Sequence, residues 1–156
     1  MKPKLSYVIK NYEELNKTEL YDLLQLRAAV FVVEQDCPYQ DMDGKDQKAL
    51  HLLGYADAVL VAYTRLFGSG TYFENSSIGR VVVAQSVRRF GYGKELMQQS
   101  IKALVAHYGK ETIEISAQEY LRKFYNELGF VQKGEGYLED KIPHIRMFKT
   151  EFKELD

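Results

Sequence analysis

The feature that most restricts the fold of this chain is a strand that leads through a glycine-containing turn into a helix, within residues 77–96. Val81, Val82 and Val83 form a β-branched run that is typical of a strand covered on both faces. The turn after it reads Arg88-Arg89-Phe90-Gly91-Tyr92-Gly93. Glycines let a backbone approach a ligand closely, and the first amides of a helix are unpaired and lie at its positive end. The segment therefore predicts a site for an anion such as a pyrophosphate.

The spacing excludes two common phosphate motifs. A Walker loop ending at Gly93-Lys94 requires a glycine where this chain has Arg88. A dinucleotide fingerprint starting at Gly91 requires a glycine where it has Leu96. What remains is the pattern Arg-x-x-Gly-x-Gly, in which Arg88 and Arg89 can add charge and bidentate hydrogen bonds to phosphate.

The periodicity of the remaining chain predicts one α/β (α+β) domain over residues 1–156, with a mixed sheet. Apolar spacing predicts helices over 17–34, 93–107 and about 121–128. Strands are expected over 4–10, 49–56, 58–67, 77–84, 112–117, 130–133 and 144–149. Asn16 followed by Glu19 predicts a capping box at the start of the first helix.

Charge and cysteine content exclude several classes of protein. Lys and Arg total 21 against 22 Asp and Glu, so the basic surface of a duplex-binding protein is absent and we expect no nucleic-acid partner. The one cysteine, Cys37, cannot form an internal disulfide, which favours a reducing compartment. Because no apolar run approaches the ~20 residues of a membrane span, we expect a cytoplasmic protein without membrane contact. The edge of the final strands would allow a homodimer.

Two segments resemble the signatures of a known family. Arg-x-x-Gly-x-Gly is similar to the acetyl-CoA loop of GNAT-type N-acetyltransferases, and Phe124-Tyr125-Asn126-Glu127-Leu128-Gly129-Phe130 resembles the family's second signature. Further segments resemble the ElaA-like subgroup: Leu26-Arg27, Val30-Phe31-Val32-Val33-Glu34-Gln35, Cys37-Pro38-Tyr39-Gln40, Asp43-Gly44-Lys45-Asp46, Gly136-Tyr137 and Ile142-Pro143-His144-Ile145. The resemblance implies a mixed, mostly antiparallel sheet flanked by helices, with a β-α-β core that binds acetyl-CoA.

The same resemblance implies the chemistry. An acetyl group would pass from acetyl-CoA to a primary amine of a small molecule or protein, by direct attack of the amine. Tyr125 would be the general acid for the departing thiolate, and a backbone N–H near Val82 or Val83 would bind the oxyanion. The residues expected to bind the cosubstrate are Val81, Val82, Val83, Arg88, Arg89, Phe90, Gly91, Tyr92, Gly93, Lys94 and Asn126. The alternative is a sensor of the same fold that holds acyl-CoA without catalysis.

The general base has five candidates. An alkyl amine is mostly protonated at neutral pH, so a group must remove a proton before attack. Glu34, at the end of the first helix, is the leading candidate, and the alternatives are His51, Glu114, Glu119 and His144.

The acidic loop gives no metal site. Asp41, Asp43 and Asp46 suggest a calcium loop, but Gly44 stands at position 4 and Leu52 at position 12, so the EF-hand pattern fails. These carboxylates would cap the loop, give an acceptor pocket negative potential, or be solvated turn residues. Side chains that could line that pocket are Tyr39, Tyr72, Phe73, Tyr137 and Glu139.

Overall fold

The computed structural model describes residues 1–155, which form one eight-stranded sheet with helices on both faces. The strands are β1 (Ser6–Asn11), β2 (Leu50–Ala56), β3 (Val59–Phe67), β4 (Ser76–Val83), β5 (Ile113–Gln118), β6 (Val131–Gln132), β7 (Tyr137–Glu139) and β8 (Ile142–Lys149). The α-helices are α1 (Lys17–Arg27), α2 (Tyr92–Tyr108) and α3 (Arg122–Glu127).

The sheet is mixed. Its order is β1-β2-β3-β4-β5-β8-β6, and β7 pairs with another part of β8. Every pairing is antiparallel except that of β4 with β5, which are parallel and connected through α2. The predicted α/β (α+β) fold with a mostly antiparallel sheet is therefore confirmed. The strand β7 was not predicted, because three residues are too few to show a period.

The first helix begins as predicted and ends differently. Asn16 and Glu19 form the expected capping box, with reciprocal side chain to backbone bonds of 2.8 Å. The prediction of one regular helix over 17–34 is wrong after Arg27, because Ala28–Glu34 is π-helical. In that segment the N–H of Gln35 donates to the carbonyl of Val30, five residues back. Such wide turns are frequent at functional sites.

Two apolar layers hold the helices on the sheet. Successive residues of a strand point to opposite faces, so Ala62 lies toward α2 with Leu96, whereas Tyr63 lies toward α1 with Leu23. Leu23 and Leu96 are fully buried, and each such side chain contributes roughly 1.5–3 kcal/mol of transfer free energy. No helix in the described part of the chain is both long and apolar enough to cross a bilayer.

Candidate active site

A gap between β4 and β5 forms the floor of a cavity of about 350 Å³. The two parallel strands pair through Ser76–Ile113 and Ser77–Glu114, and the ladder does not continue toward their carboxyl ends. Val81, Val82 and Val83 all line the cavity, as does the π-helical segment on the other side. Because the strands separate here, backbone groups on the inner edge of β4 lack a neighbouring strand.

The register of β4 identifies which of its backbone groups face the gap. The N–H of Ala84 donates to the carbonyl of Val61 on β3 at 2.7 Å. Since backbone groups alternate in direction along an antiparallel strand, the N–H and carbonyl of Val83 point away from β3. Consistently, the Val83 carbonyl accepts from Nε of Arg88 at 3.1 Å. Of the two valines proposed as oxyanion donors, Val83 is the one whose N–H faces the gap.

A bulge interrupts β4 just before these valines. Tyr63 pairs with Val82 and Arg65 with Gly79, so Arg80 and Val81 share one partner position on β3. Arg80 has φ = +49°, a left-handed conformation that costs an L-residue roughly 1–2 kcal/mol. Its guanidinium compensates for this, with Nε 2.8 Å from Oδ1 of Asp41 and Nη2 2.9 Å from the Asp41 carbonyl.

The acidic loop is therefore part of a buried ion network and is not a set of solvated turn residues. Arg27 binds Asp41 and Asp46 at 2.8 Å, and Arg65 binds Asp43 at 2.8 Å and Asp46 at 3.0 Å. Each of the three carboxylates is neutralised by arginines, so they do not supply the negative potential that the sequence suggested. Arginines at positions 27 and 65, inside apolar helix and strand patterns, were the signal that could have identified this network.

The arginines also fix the protonation state of the loop. Burial alone would raise the pKa of Asp46, but hydrogen bonds and charge from Arg27 and Arg65 outweigh it and lower that pKa. The pKa of Asp43 is likewise well below its usual range, since Arg65 outweighs the effect of burial. Within residues 1–155, no three His, Cys, Asp or Glu side chains are grouped to hold a metal ion.

The predicted anion site lies where the turn enters α2. Gly91 has φ = +72°, which favours glycine, and no side chain caps the first amides of the helix. A short 3-10 turn, Gln85–Phe90, precedes it. Tyr92 is buried in the core and its hydroxyl donates to the carbonyl of Pro3, so it offers a ligand only its backbone, whereas the Phe90 side chain is half-buried.

The polar and charged side chains around this turn differ in whether they already have a partner in the protein. Nη1 of Arg89 donates to the Ser86 carbonyl at 2.7 Å. Lys94, in the first turn of α2, and Asn126, on α3, are both exposed. Their contact with phosphate stays a prediction.

Arg88 and Glu34, both singled out from the sequence, bind each other. Nη2 of Arg88 donates to Oε1 of Glu34 at 2.8 Å, and Nη1 donates to Oε2. Both side chains line the cavity. The expected phosphate ligand and the expected general base are thus neutralised by one ion pair.

Tyr125 borders the same cavity from α3. Its ring is 6% exposed and packs edge-on against Phe124 and Phe130. Burial raises the pKa of Tyr125 to about 12, with a smaller contribution from Tyr120. The phenol is therefore protonated throughout the neutral range and can give up a proton as an acid, but it cannot act as the base.

Of the other predicted bases, only His144 reaches the cavity. Both ring nitrogens of His51 are engaged, Nδ1 with the Tyr63 hydroxyl at 2.6 Å and Nε2 with the Asp46 carbonyl at 2.9 Å. Glu114 is buried and accepts from Arg146 at 2.6 Å. Glu119 pairs with its neighbour Arg122 on the surface.

The predicted lining of the acceptor side is largely present. Tyr39, Tyr72, Phe73 and Glu139 border the cavity, together with Cys37. Tyr137 lies behind this surface, with its ring stacked on His144 and its hydroxyl bonded to Ser116.

Comparisons with known proteins assign the family. Residues 13–151 match the acetyltransferase (GNAT) domain. Protein ElaA of Escherichia coli strain K12 is 43% identical over 139 residues, which cover 88% of this chain and 91% of ElaA. The crystal structure of Escherichia coli ElaA matches with a TM-score of 0.86 at 41% identity, over 92% of this chain and 99% of that one. An acyl-CoA N-acyltransferase from Pseudomonas aeruginosa matches with a TM-score of 0.87, the same identity and the same coverage.

The chain therefore belongs to the GNAT acetyltransferase family. Within that family it is ElaA-like, which confirms the resemblance inferred from its motifs.

Proposed function

We propose that this protein is an N-acetyltransferase that moves an acetyl group from acetyl-CoA to a primary amine of a small molecule or a protein. Membership of the family supports acyl transfer in general, and the site supports the narrower reaction. The observation that carries the proposal is the gap between β4 and β5, whose cavity is bordered by Arg88 of the turn before α2 and by the buried Tyr125.

The residues present fit a CoA thioester. A pantetheine arm needs backbone hydrogen-bonding groups along an extended path, and the inner edge of β4 offers those of Val83. A diphosphate needs unpaired amides at a positive helix end, and Gly91 allows the backbone of the α2 entrance to present them. When bound, acetyl-CoA supplies a thioester whose carbonyl carbon is open to attack.

The chain would then contribute three effects. The Val83 N–H lies on the gap side of β4, where it can donate to the developing oxyanion. Tyr125, kept protonated by burial, supplies a proton to the thiolate. The walls of the cavity hold the amine beside the carbonyl and exclude water, which lowers the entropy cost of the encounter. No covalent intermediate on the protein is required.

The test is a thiol-release assay with acetyl-CoA and a panel of alkyl, aryl and peptide amines. Amine-dependent release of CoA, with mass-spectrometric detection of the acetylated product, supports the proposal. Binding of acetyl-CoA without turnover on any amine would favour the non-catalytic sensor instead. The cytoplasmic location and a homodimer stay predictions.

A further inference from the structure

Four polar side chains from three neighbouring strands form a connected chain at the cavity wall. The Tyr137 hydroxyl on β7 is hydrogen-bonded to Oγ of Ser116 on β5. Ser116 in turn donates to Oε1 of Glu139 at 3.3 Å, and Oε2 of Glu139 lies 3.4 Å from Nε2 of His144 on β8. Ser116, Glu139 and His144 all border the cavity that contains Tyr125.

The surroundings of His144 fix which nitrogen carries its proton. Nδ1 lies 2.7 Å from the carbonyl oxygen of Ile142, and a carbonyl can only accept, so Nδ1 is the protonated nitrogen of the neutral ring. Nε2 then holds a free lone pair. The ring is 6% exposed and stacks on Tyr137, its cross-strand partner, which limits its rotation.

Glu139 is placed to accept a hydrogen bond from Nε2 when that nitrogen carries a proton. In the neutral ring, Nε2 and Oε2 of Glu139 are both hydrogen-bond acceptors and lie 3.4 Å apart. They can form a hydrogen bond only after a proton is added between them. When Nε2 gains a proton, the imidazolium can donate to the carboxylate as a charge-assisted pair. The Glu139 side chain is half exposed, so it can adjust to this change.

We propose that Nε2 of His144 is the general base, and that it takes its proton from a cationic, alkylammonium acceptor held by Glu139. The inference rests on the proposed acetyl transfer and adds the base and the class of amine. Glu34 is less suited, because both of its carboxylate oxygens accept from Arg88. An ammonium group has three donors and can contact Nε2 and Glu139 together.

These residues account for every proton that moves in the reaction. The ammonium gives one proton to Nε2, which later returns it to solvent. The neutral nitrogen forms the N–C bond to the acetyl carbon, the C–S bond breaks, and its electron pair leaves on sulfur. Tyr125 protonates that thiolate, and the second proton lost by the nitrogen restores the phenol. The products are the amide and free CoA thiol.

The experiment compares two acceptors at about pH 7.5: an alkyl amine, which is mostly protonated there, and an aryl hydrazine, whose less basic nitrogen is mostly neutral. His144→Asn retains a donor toward Ile142 and removes the base. It should lower kcat for the alkyl amine about 100-fold, the usual size of general-base catalysis. The loss with the hydrazine should be less than about tenfold, and the KM for acetyl-CoA should change little.

Two further variants complete the test. His107→Asn, which changes an exposed histidine of α2 outside the cavity, is the matched control and should retain wild-type kcat. The Glu139 side chain is half exposed, so Glu139→Gln should fold like the wild type. This variant should lower kcat for the alkyl amine about tenfold. If His144→Asn does not fold, the kcat of Glu139→Gln tests the assignment of the base in its place.

The outcomes separate the two proposals. If His144→Asn matches His107→Asn with the alkyl amine, or if Glu139→Gln has no effect on it, the assignment of the base is overturned while acetyl transfer stands. A wild-type protein that acetylates no amine would overturn the proposed function and the base together.

Discussion

Arg88 and Glu34 connect the turn before α2 to the end of the π-helical segment through two hydrogen bonds, one of them 2.8 Å between Nη2 and Oε1. Because this pair occupies both carboxylate oxygens, we expect Glu34→Gln to change the KM for acetyl-CoA through Arg88 and to leave kcat within about threefold. Steady-state kinetics over both substrates separates the two effects. A kcat lowered about 100-fold, with its acidic limb removed from the pH–rate profile, would make Glu34 the base.

Tyr125→Phe tests the proposed acid. Removing the hydroxyl should lower kcat about 100-fold or more, since general-acid catalysis contributes that much, while the Kd for CoA changes less than about twofold. Because burial raises the pKa of Tyr125 to about 12, the phenol stays protonated up to that region and adds no basic limb to the profile below about pH 11. Tyr108→Phe, at the end of α2 and outside the cavity, is the matched control. An unchanged kcat in Tyr125→Phe would exclude this residue from the reaction.

The bulge at Arg80 can be tested by two substitutions that both remove its ion pair with Asp41. Arg80→Gly accepts the observed φ of +49° without strain, whereas Arg80→Ala does not. The free energy of unfolding of Arg80→Gly should therefore exceed that of Arg80→Ala by about 1 kcal/mol in urea denaturation. Equal stability of the two variants would show that this backbone conformation is not constrained.

The buried ion network predicts sensitivity to acid. The folded-state pKa values of Asp43 and Asp46 are lowered relative to the unfolded value of about 3.9. The stability that these groups contribute is therefore complete above about pH 4 and is lost as the pH falls below it. Urea unfolding at pH 7, 5 and 3 should show the main loss in the last interval.

Two variants test whether the buried ion network causes this loss of stability at low pH. Asp46→Asn should destabilise the protein at neutral pH by about 3–5 kcal/mol, because it leaves the three arginines of the network with two carboxylates and therefore one uncompensated charge. It should also reduce the loss between pH 5 and 3. Asp36→Asn, on the exposed part of the loop, should follow the wild type. An acid transition that is identical in all three proteins would contradict the account.

The sequence predicted the fold well because its signals were local. The capping box at Asn16, the valine run of β4 and the glycine turn each depend on residues within one segment. The π-helical turn was missed because its apolar pattern differs little from that of an α-helix over seven residues. β7 was missed because three residues carry no period.

The site was predictable only in part, because its pairings join distant segments. Residue types pointed separately to Arg88 and Glu34, but 54 positions separate them and spacing could not show that they bind each other. The same holds for the ion pair of Arg80 with Asp41, across 39 positions. His144 was one of five candidates until the carbonyl of Ile142 and the carboxylate of Glu139 identified its free nitrogen.

The most direct test of the central claim is a crystal structure of the protein grown with coenzyme A. The account predicts the diphosphate against the backbone amides at Gly91–Gly93, the pantetheine arm along the inner edge of β4, and the sulfur in the cavity beside Tyr125. Density for the coenzyme at any other surface, with the gap between β4 and β5 filled only by solvent, would contradict it.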